Sequence, residues 1–137
     1  GDFFKRLAEL AVQDAVYFPG YVPAADLPLL YSAATSAVIP SVYEGFGLPL
    51  LEAMACGTPA IASTASCLPE IGADAAQYFE PTSVPAMADA IGLVWADAEL
   101  RAEMRSRGLA RAALFSWERA ADETLGVYRR LLGPDLE

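Results

Sequence analysis

Histidine is absent from this chain of 137 residues, which excludes Ser/His and Cys/His nucleophile pairs and imidazole metal sites. Cysteine occurs twice, as Cys56 and Cys67, too few for a disulfide framework. Cys56 falls in an apolar helical run and reads as a small buried hydrophobe. Cations are missing from most of the chain. Between Leu7 and Leu100 there are 11 acidic residues and no Lys or Arg, whereas residues 101–137 hold 7 bases and 6 acids. An anion held by the long acidic part must therefore rely mainly on backbone N–H groups, or on cations from elsewhere. The net charge of −9 disfavours nucleic acid and anionic membrane as partners. Long apolar runs are lacking too. Phe46–Leu51 and Ala90–Ala96 fall well short of the ~20 residues a membrane-spanning helix needs. No basic, apolar-cored leader opens the chain, so no export signal is expected, and Gly1 in place of Met reads as the start of a processed or truncated product.

What is present is a chain rich enough in apolar residues, at 55%, to bury a real core as one domain over residues 1–137. Helical and short extended stretches alternate. Phe4, Leu7, Ala8 and Ala11 share a helical face, and Ala15–Phe18 reads as a buried strand closed by Pro19-Gly20. Residues 26–34 read as a helix, Ser36–Pro40 as a second strand, and Leu48–Cys56 as a helix opened by Pro49 and stopped by Gly57. Thr58–Ala62 and Ala76–Phe79 supply further strands. Three helices follow: Pro85–Ala96 after a Thr82-Ser83 cap, one capped by Asp97, and one capped by Ser116. Trp95 and Trp117 sit at core spacing on their helices, and the arginines from Arg101 to Arg111 read as a solvated face. Gly133-Pro134-Asp135 reads as a frayed tail. The alternation implies an α/β fold with a parallel sheet flanked by helices on both faces.

The stretch with chemical content runs from Pro40 to Pro59. A strand ends at Pro40, a glycine-containing loop follows, and a helix begins near Pro49. Ligands of open parallel sheets bind at such strand ends, and a helix start presents N–H groups and a positive dipole end to an anion. Gly45 and Gly47 let backbone approach a ligand with no side chain between, which suits a diphosphate or a hydroxyl-rich sugar. Glu44 and Glu52 flank the loop. Helical side chains tilt toward the N-terminus, so Glu52 reaches back toward a ligand there, and carboxylates accept hydrogen bonds from vicinal hydroxyls while repelling phosphate. By itself such a spacing arises often by chance, and the helix dipole favours glutamates early in a helix anyway. The third glycine of a dinucleotide fingerprint and the Gly-Lys-Ser/Thr of a phosphate loop are both missing.

Six segments carry a resemblance: Phe18-Pro-Gly20-Tyr-Val22, Leu30-Tyr31-Ser-Ala-Ala34, Pro40-Ser-Val-Tyr-Glu44-Gly-Phe-Gly-Leu-Pro49, Glu52-Ala-Met-Ala-Cys-Gly-Thr-Pro59, Leu68-Pro-Glu70-Ile71 and Phe115-Ser-Trp-Glu118. Together they resemble the family 4 (group 1) retaining glycosyltransferases, and specifically the C-terminal, donor-binding domain of their two-Rossmann GT-B architecture. The resemblance implies transfer of a sugar, with retention, from a nucleotide diphosphate sugar to a glycan or lipid-linked acceptor. Glu44 would meet the donor sugar as the catalytic glutamate. Gly45, Phe46, Gly47 and Leu48 would hold sugar hydroxyls and diphosphate through their backbone, Glu52 the ribose, and Tyr21 and Val22 the nucleobase. Glu70 reads as structural. No cofactor and no metal are expected, and there is no Asp-x-Asp to hold one. Likeness to mannosyltransferases of surface polysaccharide assembly points to GDP-mannose, and the parent protein is expected in the cytoplasm or peripheral to the inner face of the membrane.

The chain also departs from that family. Two strand–helix units that precede the position of Gly1 in the family, carrying the Arg and Lys that meet the diphosphate, have no counterpart here, nor has the acceptor domain. The expectation is a partial Rossmann-like sheet lacking its first two strands, weak donor binding by the chain alone, and self-association through an exposed sheet edge. Two other classes stay open on the sequence: a non-catalytic nucleotide-binding or interaction module, and a sugar-nucleotide epimerase of the same architecture.

Overall fold

The computed structural model describes residues 2–133. Its elements, in chain order, are α1 (Asp2–Glu9), α2 (Leu27–Ala33), β1 (Ala37–Ile39), α3 (Leu48–Ala55), β2 (Ala60–Ser63), α4 (Leu68–Gly72), β3 (Ala76–Phe79), α5 (Val84–Ala96), α6 (Ala98–Ala112) and α7 (Trp117–Leu132), with short 3-10 turns at Gln13–Ala15 and Ala73–Ala75. The three strands form one parallel sheet in the order β1-β2-β3, with Ala37 opposite Ala60 and Ala60 opposite Ala76.

All four residues of β2 are buried. Alternation of side chains along the strand explains how. Ala60 and Ala62 point into a cluster with Ile39, Leu50, Ala53, Met54, Leu68 and Ile71, while Ile61 points the other way, into a cluster with Phe79, Ala90, Val94 and Met104. A strand covered on both faces is what a run without polar alternation requires. α6 straddles the two layers. Met104 enters the second cluster, and Gly108 lets α6 cross closely over Met54, where an added Cβ would stand 3.3 Å from the Met54 Cγ.

Caps set the helix boundaries. Ser83, Asp97 and Ser116 each accept from the amide three residues on, at 3.2, 2.9 and 3.1 Å. Gly57 (φ +70°) closes α3, with its amide bonded to Met54 O and that of Thr58 to Ala53 O, a left-handed glycine closure.

Four sequence expectations fail here. Ala15–Phe18 is not a strand: Ala15 ends a 3-10 turn, and Val16 is extended but no described strand lies beside it to complete a ladder. Ala11 leaves the face of α1 because its φ of 52° lies outside the helix, and Phe4 packs against Phe3 and Phe18 rather than on the core. Neither core cluster contains a residue ahead of Tyr31. Trp95 and Trp117 are 68% and 77% exposed, because α5 buries Ala90 and Val94 instead and no residue of α7 is buried.

The arginine row of α6 is the fourth correction. Arg105 and Arg107 are exposed as expected, but each of the four arginines also clamps a backbone carbonyl. Arg101 donates to the carbonyls of Val94 (2.9 Å) and Trp95 (2.5 Å) at the end of α5. Arg105 donates to Gly57 O, Arg107 to Asp74 O, and Arg111 to Ile71 O (2.8 Å) and Glu70 O (2.6 Å) at the end of α4. Helix ends leave carbonyls without intrahelical partners and carry partial negative charge, so guanidinium groups satisfy both at once. The expected tail at Pro134-Asp135 lies outside the described residues.

Candidate functional site

Because the sheet is parallel, the carboxyl ends of β1, β2 and β3 open on one side of it, and the loop from Pro40 to Gly47 leaves β1 there. Pro40 ends the ladder and Pro49, in the first turn of α3, starts the next helix. Gly47 is the N-cap of α3 in the left-handed region (φ +87°, ψ 41°). It is also boxed in, since a Cβ there would stand 2.8 Å from Leu68 Cδ2. Gly45 differs: its φ is not positive, and a Cβ would meet nothing within 4 Å. The two glycines therefore do different things. Gly47 serves the fold, and only Gly45 is open on the surface.

Glu44 is half-buried and held by hydroxyls. Ser41 Oγ donates to its Oε1 at 2.7 Å, and Ser41 is itself pinned by the buried Ser63, whose Oγ donates to Ser41 O at 2.5 Å. The Glu44 carbonyl accepts from Ser66 Oγ (2.6 Å) and Cys67 Sγ (3.4 Å), both on the connection between β2 and α4. Glu52 lies in the second turn of α3 with its carboxylate exposed, and Tyr31 of α2 donates to its Oε2 at 3.4 Å. Burial raises the Tyr31 pKa above its usual value, with the Glu52 charge and the hydrogen bond adding to the effect, so the phenol stays a donor. Thr58 Oγ1 holds Tyr31 O at 2.6 Å. No described ion pair involves Glu44 or Glu52. Glu44, in the loop after β1, and Glu52, in the second turn of α3, are thus each met by a hydroxyl donor and by no described cation, with an open glycine between them in sequence. Such a site suits hydroxyl groups rather than phosphate.

The Phe46 ring meets that of Phe115 edge-on, with centroids 6.1 Å apart and planes at 83°. Leu48, at the first position of α3, is 44% exposed. Tyr21 is 91% exposed and Val22 half-buried, on the segment leading into α2, and among the described residues no hydrogen bond ties either to residues 44–52. Sequence reasoning missed Ser41, Ser63, Ser66 and the Tyr31 hydroxyl. Their partners lie 21 or 22 residues away or depend on a loop turn, and no periodicity signals that.

The family model described as "Glycosyl transferases group 1" matches residues 2–111. The chain is 42% identical over 131 residues to O-antigen chain mannosyltransferase B of Escherichia coli, covering 95% of this chain and 34% of that protein. Among solved structures, sucrose-phosphate synthase from Thermosynechococcus elongatus superposes with a TM-score of 0.85 at 37% identity, over 93% of this chain and 33% of that one. Anabaena HepE in complex with UDP gives 0.83 at 26% identity, over 92% and 36%. The chain thus spans about a third of the length of each of these relatives.

Proposed function

This chain belongs to the group 1 glycosyltransferases, with the fold of the C-terminal GT-B domain, and we propose that it supplies the donor side of a retaining glycosyl transfer from a nucleotide diphosphate sugar. The observation that carries the reading is the loop at the carboxyl end of β1, where Ser41 holds Glu44 beside the open Gly45 and the chain runs on into α3, whose Glu52 accepts from Tyr31. Glu44 acts at the donor sugar, the backbone of residues 45–48 takes sugar hydroxyls and diphosphate, Glu52 accepts from the ribose, and Tyr21 and Val22 border the nucleobase. Catalysis is positioning plus stabilisation of the departing diphosphate at the start of α3, needing no metal or cofactor. The mannosyltransferase relative supports mannose as the sugar, which we read as delivered from GDP-mannose, and the UDP complex of a similar structure supports a nucleotide ligand.

The acceptor domain is the further partner, and nucleic acid is not one. β1 is an edge strand, with no described strand on its outer side, which favours pairing with another copy. Among the described residues no helix is long and apolar enough to cross a membrane; we place the whole protein in the cytoplasm or at the inner membrane face.

Titration of GDP, UDP and GDP-mannose into the chain and its Glu52→Gln variant tests the reading. Losing a hydrogen bond to a charged group costs ~1.5–3 kcal/mol, or about 10- to 100-fold in affinity. Equal affinity of both proteins for every nucleotide refutes the role of Glu52.

A further inference from the structure

We infer that Phe115, with Arg111 behind it, is a positioning residue for the donor loop; the inference rests on the donor reading above. Phe46 is the only side chain between Gly45 and Gly47, and its ring meets that of Phe115 at 6.1 Å in an edge-to-face pair. On Phe115 lies the Arg111 guanidinium, 5.0 Å from the ring centroid. Arg111 is fixed in turn by its bonds to Ile71 O and Glu70 O at the end of α4. The start of α4 reaches the same loop from the other side, through Ser66 Oγ and Cys67 Sγ on Glu44 O. These contacts close a ring: α4, Arg111, Phe115, Phe46, the loop, Glu44, Ser66 and α4 again. A Cβ added at Gly45, inside this ring, would meet nothing within 4 Å.

The consequence is preorganisation. A glycine loop left free loses backbone entropy when it closes on a ligand, and anchoring it on both sides removes part of that loss beforehand. The edge-to-face pair and the cation over the ring are each specific to an aromatic at position 115, because both depend on the ring quadrupole. Leucine fills much of the space and supplies neither.

Amide hydrogen exchange at Leu50 and Leu51, whose amides donate to Gly47 O, and titration of GDP, both on Phe115→Leu, Phe115→Tyr, Phe46→Leu and the Phe46→Leu/Phe115→Leu double variant, test the inference. Expected are about tenfold faster exchange and about tenfold weaker GDP binding for Phe115→Leu, near-parental values for Phe115→Tyr, and a double variant no worse than either single one. Unchanged exchange in Phe115→Leu, or loss in Phe115→Tyr equal to that in leucine, overturns the brace. Faster exchange with unaltered GDP affinity overturns the positioning role if Glu52→Gln still weakens binding. If Glu52→Gln is also without effect, the donor reading itself falls.

Discussion

Substituting alanine at Gly47 and at Gly45, two positions apart in one loop, should give opposite results. At Gly47 the φ of +87° demands a left-handed backbone, which costs a side-chain-bearing residue ~1–2 kcal/mol. The new methyl would also stand 2.8 Å from Leu68 Cδ2, and Leu68 is completely buried, so the crowding cannot be relieved into solvent. Overpacking of that kind adds ~1–3 kcal/mol. The sum is about 2–5 kcal/mol, or roughly 6–15 °C in Tm at the few degrees per kcal/mol expected for a domain of this size. Gly45→Ala meets neither penalty and should stay within about 0.5 kcal/mol of the parent. Thermal and urea unfolding followed by far-UV circular dichroism measure both. A third variant separates the two terms: in Gly47→Ala/Leu68→Ala the crowding is gone and only backbone strain remains, so the double variant should be more stable than the summed singles imply by about 1–3 kcal/mol. A Tm for Gly47→Ala within 2 °C of the parent, or equal losses at both glycines, would refute the argument that Gly47 is a fold residue and Gly45 a surface one.

Arg101→Ala removes the donors to Val94 O and Trp95 O at the end of α5 and should cost about 1–3 kcal/mol in urea unfolding, with Lys recovering only part of it. An unchanged midpoint would return the α6 arginines to a solvated face. Burial pushes the Tyr78 phenol up to about 12, opposed by Arg111 and assisted by Asp74. Its folded value lies above the unfolded value of 10.0, so the unfolded chain loses this proton first as pH rises. The contribution of Tyr78 is therefore whole below pH 10 and lost between pH 10 and 12. Tyr78→Phe should flatten the fall in Tm over that window, and parallel curves for the two proteins would contradict the shift.

Much of the fold was legible because it is local. Proline at a helix start, glycine at its end, and Ser83, Asp97 and Ser116 as caps act within three or four residues, so composition and spacing reveal them. The runs Ala37–Ile39, Ala60–Ser63 and Ala76–Phe79 are apolar enough that only a sheet covered by helices accommodates them. The loop of Glu44, Gly45 and Gly47 was legible for the same reason, since a strand end, glycines and a helix start follow one another in sequence.

What the linear order could not reveal are properties of pairs. Whether Ala15–Phe18 becomes a strand depends on a neighbour to bond with, not on its own residues, and no described strand lies beside it. Trp95 and Trp117 have core spacing, yet burial needs a second surface, and α7 has none among the described residues. The arginines of α6 look like a charged face until the helix ends 40 residues upstream are brought beneath them. Glu44 and Glu52 were visible as acids, but Ser41, Ser63 and Tyr31, which aim them, are ordinary hydroxyls until folding sets them within hydrogen-bonding distance. Caps and breakers act along the chain. Strand pairing, burial and carboxylate orientation act across it, and only the packed structure decides them.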